Sequence, residues 1–252
     1  MPDKYTCEII ANKKLADNVF TIAVSNKELA AVACPGQFLH IKCGDARLLR
    51  RPISICDIRG ATVIFVIEAV GEGTRWLSNS RSGQKLDILG PLGNGFSMPE
   101  GRIIAIGGGM GVPPMLLTAK SAIGDVTAII GFRNKERVIL KNEFSSICNE
   151  VYITTDDGSF GLRGPVTAPL QELLEIGEYS AVLACGPRAM LSAVTVLCRL
   201  HGVPCQVSLE ERMACGVGAC LTCACATVSD GDKRMSRVCR DGPVFNAGEV
   251  VW

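Results

Sequence analysis

The chain has 252 residues, of which 48% are hydrophobic and 20% charged, and its formal net charge is +1. That composition is globular, and the length suits two or three domains with a sizeable core. A charge this close to zero gives no electrostatic reason to expect a nucleic acid or an anionic membrane as partner, and no apolar run approaches the ~18 residues of a membrane span.

Met1-Pro2-Asp3-Lys4-Tyr5 is a polar start without the apolar core of a signal peptide. The 13 cysteines are therefore expected as reduced thiols of a cytoplasmic protein rather than as a disulfide framework. Cys7, Cys34, Cys43, Cys56, Cys148, Cys198 and Cys205 are scattered and read as small buried hydrophobes.

Residues 1–98 read as all-β. Short apolar segments at 20–24, 38–42, 61–69 and 85–89 alternate with turn signals such as Pro35-Gly36 and Gly90-Pro91-Leu92-Gly93-Asn94-Gly95. Many short strands with such turns predict an antiparallel barrel or a sandwich. Arg51-Pro52-Ile53-Ser54 precedes a strand-like Ile55-Cys56. An arginine can grip a pyrophosphate bidentately, and a serine hydroxyl can donate to a flavin ring nitrogen. Gly71-Glu72-Gly73-Thr74 leads into a helical stretch at 75–79, a second place for a phosphate at a helix start. Taken singly, an exposed arginine and a buried serine are ordinary.

Residues 99–205 follow a different pattern. Apolar strands at 102–106, 126–130, 150–154 and 181–184 alternate with helical stretches at 113–122, 166–176 and 189–201. This alternation predicts a parallel sheet with helices on both faces. The first strand runs into Gly107-Gly108-Gly109-Met110-Gly111-Val112. A strand–glycine–helix junction presents free N–H groups and a helix dipole to a phosphate, although a tight turn explains the same run. It is not the G-x-G-x-x-G fingerprint, because Val112 stands at the third glycine position. Cys185-Gly186-Pro187 ends another strand of the same sheet, and ligands of such sheets bind at the carboxyl ends of strands. Asp156-Asp157-Gly158 ends a third strand, where an acid can hold a ribose hydroxyl or simply face solvent.

Residues 206–252 are cysteine-rich. Cys215, Cys220, Cys223 and Cys239 follow the plant-type [2Fe–2S] spacing C-x4-C-x2-C…C. Three thiolates come from one tight loop in which Gly216 and Gly218 permit sharp turns. The fourth follows from a hairpin: segments 224–228 and 234–238 flank Asp230-Gly231, a turn dipeptide, so position 223 should face 238 and bring Cys239 beside Cys223. A four-cysteine zinc site is the alternative, and zinc more often uses paired C-x2-C knuckles. Cys225 shares a strand face with Cys223 and is a possible substitute ligand.

Together these pieces resemble the ferredoxin–NADP reductase superfamily. Arg51 and Ser54, Gly73-Thr74, the Gly107–Gly111 run and Cys185-Gly186-Pro187 match it in order. The segment Leu209-Glu210-Glu211-Arg212-Met213-Ala214-Cys215-Gly216-Val217-Gly218-Ala219-Cys220 is more specific. With Asp157-Gly158-Ser159-Phe160-Gly161 and Gly90-Pro91-Leu92-Gly93-Asn94-Gly95-Phe96, it resembles the family of electron-transfer subunits of NAD-dependent (type B) dihydroorotate dehydrogenases, over nearly the whole chain.

The resemblance implies a flavin-binding barrel at 1–98, an α/β dinucleotide domain at 99–205 and a small [2Fe–2S] domain at 206–252. FAD would be held by Arg51, Pro52, Ile53 and Ser54, with Val66, Ile67 and Glu68 beside the ring and Gly73 and Thr74 at the phosphates. NAD would be held at Gly108, Gly109, Gly111, Cys185, Gly186 and Pro187. The cluster ligands would be Cys215, Cys220, Cys223 and Cys239. It further implies an FMN-containing catalytic subunit as partner, two copies of each in a heterotetramer, with electrons from dihydroorotate passing through the cluster and FAD to NAD⁺. No acid–base residue is implied, and neither His40 nor His201 sits in a catalytic-looking motif. Equivalent subunits serve sulfide dehydrogenases, ferredoxin–NADP reductases and hydrogenases, and a zinc-stabilised nucleotide-binding module is the reading from another class. Glu68 departs from the family, which often has a basic residue there; an acid beside a flavin disfavours its anionic reduced form.

Overall fold

Alternation of buried and exposed residues closes the first part of the chain on itself. The computed structural model describes residues 3–45, 48–229 and 231–252; Met1 and Pro2 of the polar start, and Asp230 of the expected hairpin turn, lie outside them. Six strands form a closed barrel: β1 (Asp3–Ala16), β2 (Val19–Ser25), β3 (Phe38–Ile41), β4 (Arg51–Arg59), β5 (Thr62–Glu68) and β6 (Lys85–Leu92), in the spatial order β1-β2-β5-β4-β3-β6. The barrel is the expected one of the two all-β alternatives. Ile22, Leu39, Ile41, Ile55, Phe65, Leu86 and Ile88 fill it. Two short helices, α1 (Lys27–Val32) and α2 (Glu72–Ser78), sit between strands. β1 was not among the expected segments: its burial alternates only from Tyr5 to Ile9, and the rest of the strand is exposed or half-buried, Leu15 and Ala16 packing against the sheet core.

The second part is a seven-stranded sheet. Its strands are β7 (Ile103–Gly108), β8 (Val126–Phe132), β9 (Glu150–Thr155), β10 (Leu162–Arg163), β11 (Ala181–Cys185), β12 (Cys205–Ser208) and, from the end of the chain, a strand at Val244–Asn246. The helices α3 (Val112–Lys120), α4 (Lys141–Ser145), α5 (Thr167–Ile176) and α6 (Arg188–Leu200) cover it on both faces. Every residue of α3 from Val112 to Ala119 is buried. One face of α3 joins the sheet core through Met115 and Leu116, and Leu117 enters the barrel core. A helix apolar all round is what two flanking layers require.

The cysteine segment forms a hairpin, β13 (Ala224–Ser229) with β14 (Asp232–Arg237), and then returns to the sheet as β15, the Val244–Asn246 strand, antiparallel to β12. Both ends of the segment are therefore stitched to the sheet. Asn94, from the loop after β6, donates its backbone N–H to Gly242 O at 2.6 Å, and Gln206 exchanges two hydrogen bonds with the Ser97 backbone. Of the scattered cysteines, Cys34 is exposed and Cys148 half-buried, against expectation; both follow short helices, and Cys148 packs only at the edge of the sheet core.

Asp57 fastens the barrel to the sheet. Only 4% of its side chain is exposed, yet it accepts from Lys120 Nζ of α3 at 2.8 Å, Arg59 Nε at 2.6 Å and the Ile58 amide at 2.8 Å. Burial alone would raise its carboxyl; the hydrogen bonds from Lys120 and Arg59 outweigh that and hold it below the usual range. A depressed folded-state value contributes stability above the unfolded value, and that stability is lost as pH falls through the folded one. Asp57→Asn is expected to cost about 2 kcal/mol near neutrality, given that both cations are partly exposed. Urea unfolding followed by tryptophan fluorescence should show a lower midpoint for the variant, with the gap from wild type closing in acid.

Candidate functional site

β4 alternates, so its motif divides between two surfaces. Pro52 and Ser54 pair with His40 and Phe38 of β3 and face outward. Together with Ser208, Leu209, Glu210, Glu211, Met213 and Pro243 they line a cavity of about 210 Å³ between the barrel and the cysteine segment. Ile53 packs on the barrel core instead. Arg51 leaves the end of β4 beside α2, where a Cβ on Gly73 would lie 2.7 Å from Arg51 Nε. α2 begins earlier than expected, so Gly73 and Thr74 fall inside its first turn; Thr74 Oγ1 closes that turn with Gly71 N and O, each at 3.2 Å. An arginine beside free helix-start amides fits a pyrophosphate. On β5, Val66 faces outward to the sheet core, whereas Ile67 points into the barrel.

Glu68, at the end of β5, opens onto a second cavity of about 680 Å³. The carboxyl ends of the sheet strands form its floor, through Gly108, Gly109, Met110, Gly111, Gly186 and Pro187, and Asp156 and Glu210 also line it. Cys185 lies beneath this floor, 1% exposed, with its thiol pushed up to about 12 by burial. Asp157 accepts from the Ser159 amide and hydroxyl, and Asp156 is the acid of the pair that lines the cavity. Sequence reasoning missed Arg137. It follows β8, lines the cavity, forms an ion pair with Glu68 and donates to Asp17 O at 3.1 Å. The acid at 68 thus carries its own cation, supplied from the sheet side of the cavity, and is not the uncompensated charge its sequence context suggests.

The hairpin register is the expected one. Ala224 faces Arg237, and Val238 N donates to Cys223 O at 3.0 Å, which brings Cys239 beside Cys223. The loop before it reverses sharply through Gly216 (φ 71°), Gly218 (φ 82°) and Leu221 (φ 62°). These reversals turn backbone amides onto sulfur. Cys215 Sγ accepts from Val217, Ala219 and Cys220 N–H at 3.5, 3.3 and 3.4 Å, Cys239 Sγ from Gly218 N–H at 3.1 Å, and Cys223 Sγ from Cys239 N–H at 3.5 Å. The same contacts set Cys220 against Cys215 and Cys239 against Cys223. Four cysteine thiols in one loop and hairpin, three of them met by backbone N–H donors, make the donor set that a [2Fe–2S] cluster needs, and the residues fit that group. Among the described residues no three of His, Cys, Asp or Glu converge as a mononuclear ion requires; a binuclear cluster makes no such demand. Cys225 is buried in β13 opposite Ser236. Arg237 braces the loop, holding Asp241 with two nitrogens at 2.9 and 3.0 Å and donating to Gly218 O at 3.3 Å. His40 lies under the loop: burial, then Arg50 and Arg51, push it down to about 4, so its ring is neutral.

Comparison with known proteins agrees with this geometry. Residues 210–251 match the family model described as the iron–sulfur cluster binding domain of dihydroorotate dehydrogenase B. The chain is 39% identical over 254 residues to the dihydroorotate dehydrogenase B (NAD⁺) electron transfer subunit of Geobacillus thermodenitrificans, covering 96% of each chain. It is 40% identical over 251 residues to the subunit of the same name from Caldanaerobacter subterraneus, covering 99% of each. Among solved structures, that of an NADH-dependent reduced ferredoxin-NADP oxidoreductase is similar at a TM-score of 0.87 and 32% identity, over 98% of this chain and 90% of that one. A ferredoxin reductase of carbazole 1,9a-dioxygenase shares the fold at a TM-score of 0.67 and 21% identity, over 81% and 67%.

The glycines of the β7 turn serve two different ends. A Cβ on Gly111 would lie 2.3 Å from Cys185 O, whereas one on Gly109 (φ 54°) would meet nothing within 4 Å and would point into open space. Gly111→Ala is therefore expected to lower the thermal midpoint as well as nucleotide affinity. Gly109→Ala should leave the melting curve within a few degrees of wild type, about 1 kcal/mol being the cost of its left-handed backbone, and should weaken NAD⁺ binding measured by titration calorimetry.

Proposed function

This chain belongs to the family of electron-transfer subunits of dihydroorotate dehydrogenase B, and from that membership we propose the route by which its residues connect a catalytic partner to NAD⁺. It is an oxidoreductase subunit that works with FAD, a [2Fe–2S] cluster and NAD⁺. When bound, the cluster moves single electrons and the flavin converts them into the pair that a nicotinamide accepts as hydride. The observation that carries the reading is the cysteine loop: its amides are already aimed at three of the four sulfurs, and it packs across a narrow cavity from Pro52 and Ser54.

In this reading Cys215, Cys220, Cys223 and Cys239 hold the cluster. Arg51, Gly73 and Thr74 hold the FAD phosphates, and Pro52, Ser54, Val66 and Glu68 border its ring. Ile53 and Ile67 shape those strands from the barrel side. The dinucleotide lies in the larger cavity over Gly108, Gly109, Gly111, Gly186 and Pro187, with Cys185 supporting the floor and Asp156 facing the ribose. No side chain of this chain is required to move a proton; its work is to orient, to exclude water and to set potentials. The domain divisions at 98 and 205 follow these three roles.

The partner is an FMN-containing subunit that oxidises dihydroorotate in pyrimidine biosynthesis, with two copies of each subunit in the complex. Exposed apolar residues around the cluster segment, Val217 at 40%, Leu221 at 63% and Met235 at 65%, supply a surface for it. The thiol-rich composition supports a cytoplasmic location. A second reading has one observation in its favour, the 0.87 TM-score to the oxidoreductase of ferredoxin and NADP; there the same carriers would serve a different partner.

Anaerobic purification with the co-purifying partner, followed by addition of dihydroorotate and NAD⁺, should give NADH absorbance that depends on both substrates. Flavin and cluster without that absorbance would move the assignment to the second reading. Cys220→Ser, folded and retaining FAD, is expected to reduce NADH formation to background; a normal rate would sink the proposed route. Leu221→Glu should keep its cofactors but elute without the partner on size exclusion, where the wild-type complex should show the mass of two subunits of each kind.

A further inference from the structure

The barrel contributes one polar group to the cluster loop that no role so far described uses. His40, on β3, is 1% exposed, and neither ring nitrogen has a hydrogen-bond partner among the described residues. The Arg50 backbone comes near the ring without reaching hydrogen-bond geometry. A buried polar group left alone is costly, and native proteins rarely keep one without a reason. The position of the ring supplies the reason. A Cβ on Gly216 would lie 2.6 Å from Nδ1, closer than to any other atom of the ring, so Nδ1 faces the loop immediately after Cys215. Cys215 Sγ is the sulfur that gathers three loop amides. On its other side His40 pairs with Pro52 in the flavin-facing row of the barrel.

We propose that His40 is a positioning residue for electron transfer, its Nδ1–H donating to a sulfur of the cluster held by the Cys215 loop. The inference rests on the four-cysteine assignment above. A neutral imidazole has one N–H and one bare nitrogen, and this assigns the N–H to Nδ1. A donor aimed at cluster sulfur favours the reduced form, which carries one more negative charge, and so raises the midpoint potential. The same contact explains why residue 216 is glycine: any side chain there would collide with the ring.

The test is redox potentiometry on the anaerobic complex, with the cluster read by electron paramagnetic resonance and the flavins by absorbance. His40→Leu removes the donor and keeps an apolar filling; His40→Gln keeps an N–H. The Leu variant is expected to lower the cluster midpoint by about 59 mV, a tenfold change in a one-electron equilibrium, with the flavin bands unmoved. The Gln variant should fall nearer to wild type. An unmoved cluster midpoint in His40→Leu overturns the proposal, and so does a shift confined to the flavin, which would make FAD the partner of His40. If His40→Leu fails to retain the cluster, retention by His40→Gln supports the donor role and loss from both variants reduces His40 to packing. Absence of the cluster signal from wild type would instead bring down the four-cysteine assignment, and this inference with it.

Discussion

Sulfur is a weak hydrogen-bond acceptor, and a loop that must surround several sulfurs has to turn its own amides toward them. That requirement governs the C-terminal fifth of the chain. The reversals at Gly216, Gly218 and Leu221 exist to bring N–H groups onto Cys215 and Cys239, and everything around the loop keeps those reversals in place. Arg237 grips Asp241 and the Gly218 carbonyl, Asn94 reaches across from the barrel, and the hairpin delivers Cys239 from sixteen residues beyond Cys223. A left-handed leucine is an unfavourable conformation that persists only where its surroundings over-determine it. Here Cys220 precedes it and Cys223 follows two residues on, within the loop whose amides meet sulfur.

The same economy of placement organises the larger cavity. Its floor consists of strand ends and its wall is the barrel, so the two halves of the chain must hold a fixed distance. α3 sets that distance by burying apolar residues against both, and Asp57 adds a polar fastening between β4 and Lys120. Arg137 reaches from the sheet side to Glu68 on the barrel side and closes the rim. The charge at the end of β5 is therefore set by one residue of the barrel and one that follows a strand of the sheet.

Much of this was legible in the sequence because it rests on local rules. The cysteine spacing, the hairpin offset that sets Cys239 beside Cys223, the glycine turns at strand ends and the change from strand-only to strand–helix alternation all depend on residues near one another in the chain. What was not legible depends on distant pairs. Glu68 read as an uncompensated acid because its partner stands 69 residues away. β1 escaped notice because its alternation breaks after Ile9, where exposed and half-buried residues come in pairs. The division of Val66 and Ile67 between two surfaces, and of Ile53 from Ser54, follows from strand alternation only once the strands are in register. His40 looked unremarkable for the same reason: nothing within its own strand indicates that residue 216 will lie on top of it.

The return of β15 to β12 has a kinetic meaning. A ferredoxin that carries its cluster on a free domain must find its reductase by diffusion, at a rate that falls on dilution. Here the cysteine segment is anchored to the dinucleotide sheet at both ends. The two carriers therefore meet at a fixed effective concentration, whatever the amount of protein in the cell. Passage of electrons between them is a first-order event within one molecule, and dilution can slow only the arrival of NAD⁺ and the docking of the partner.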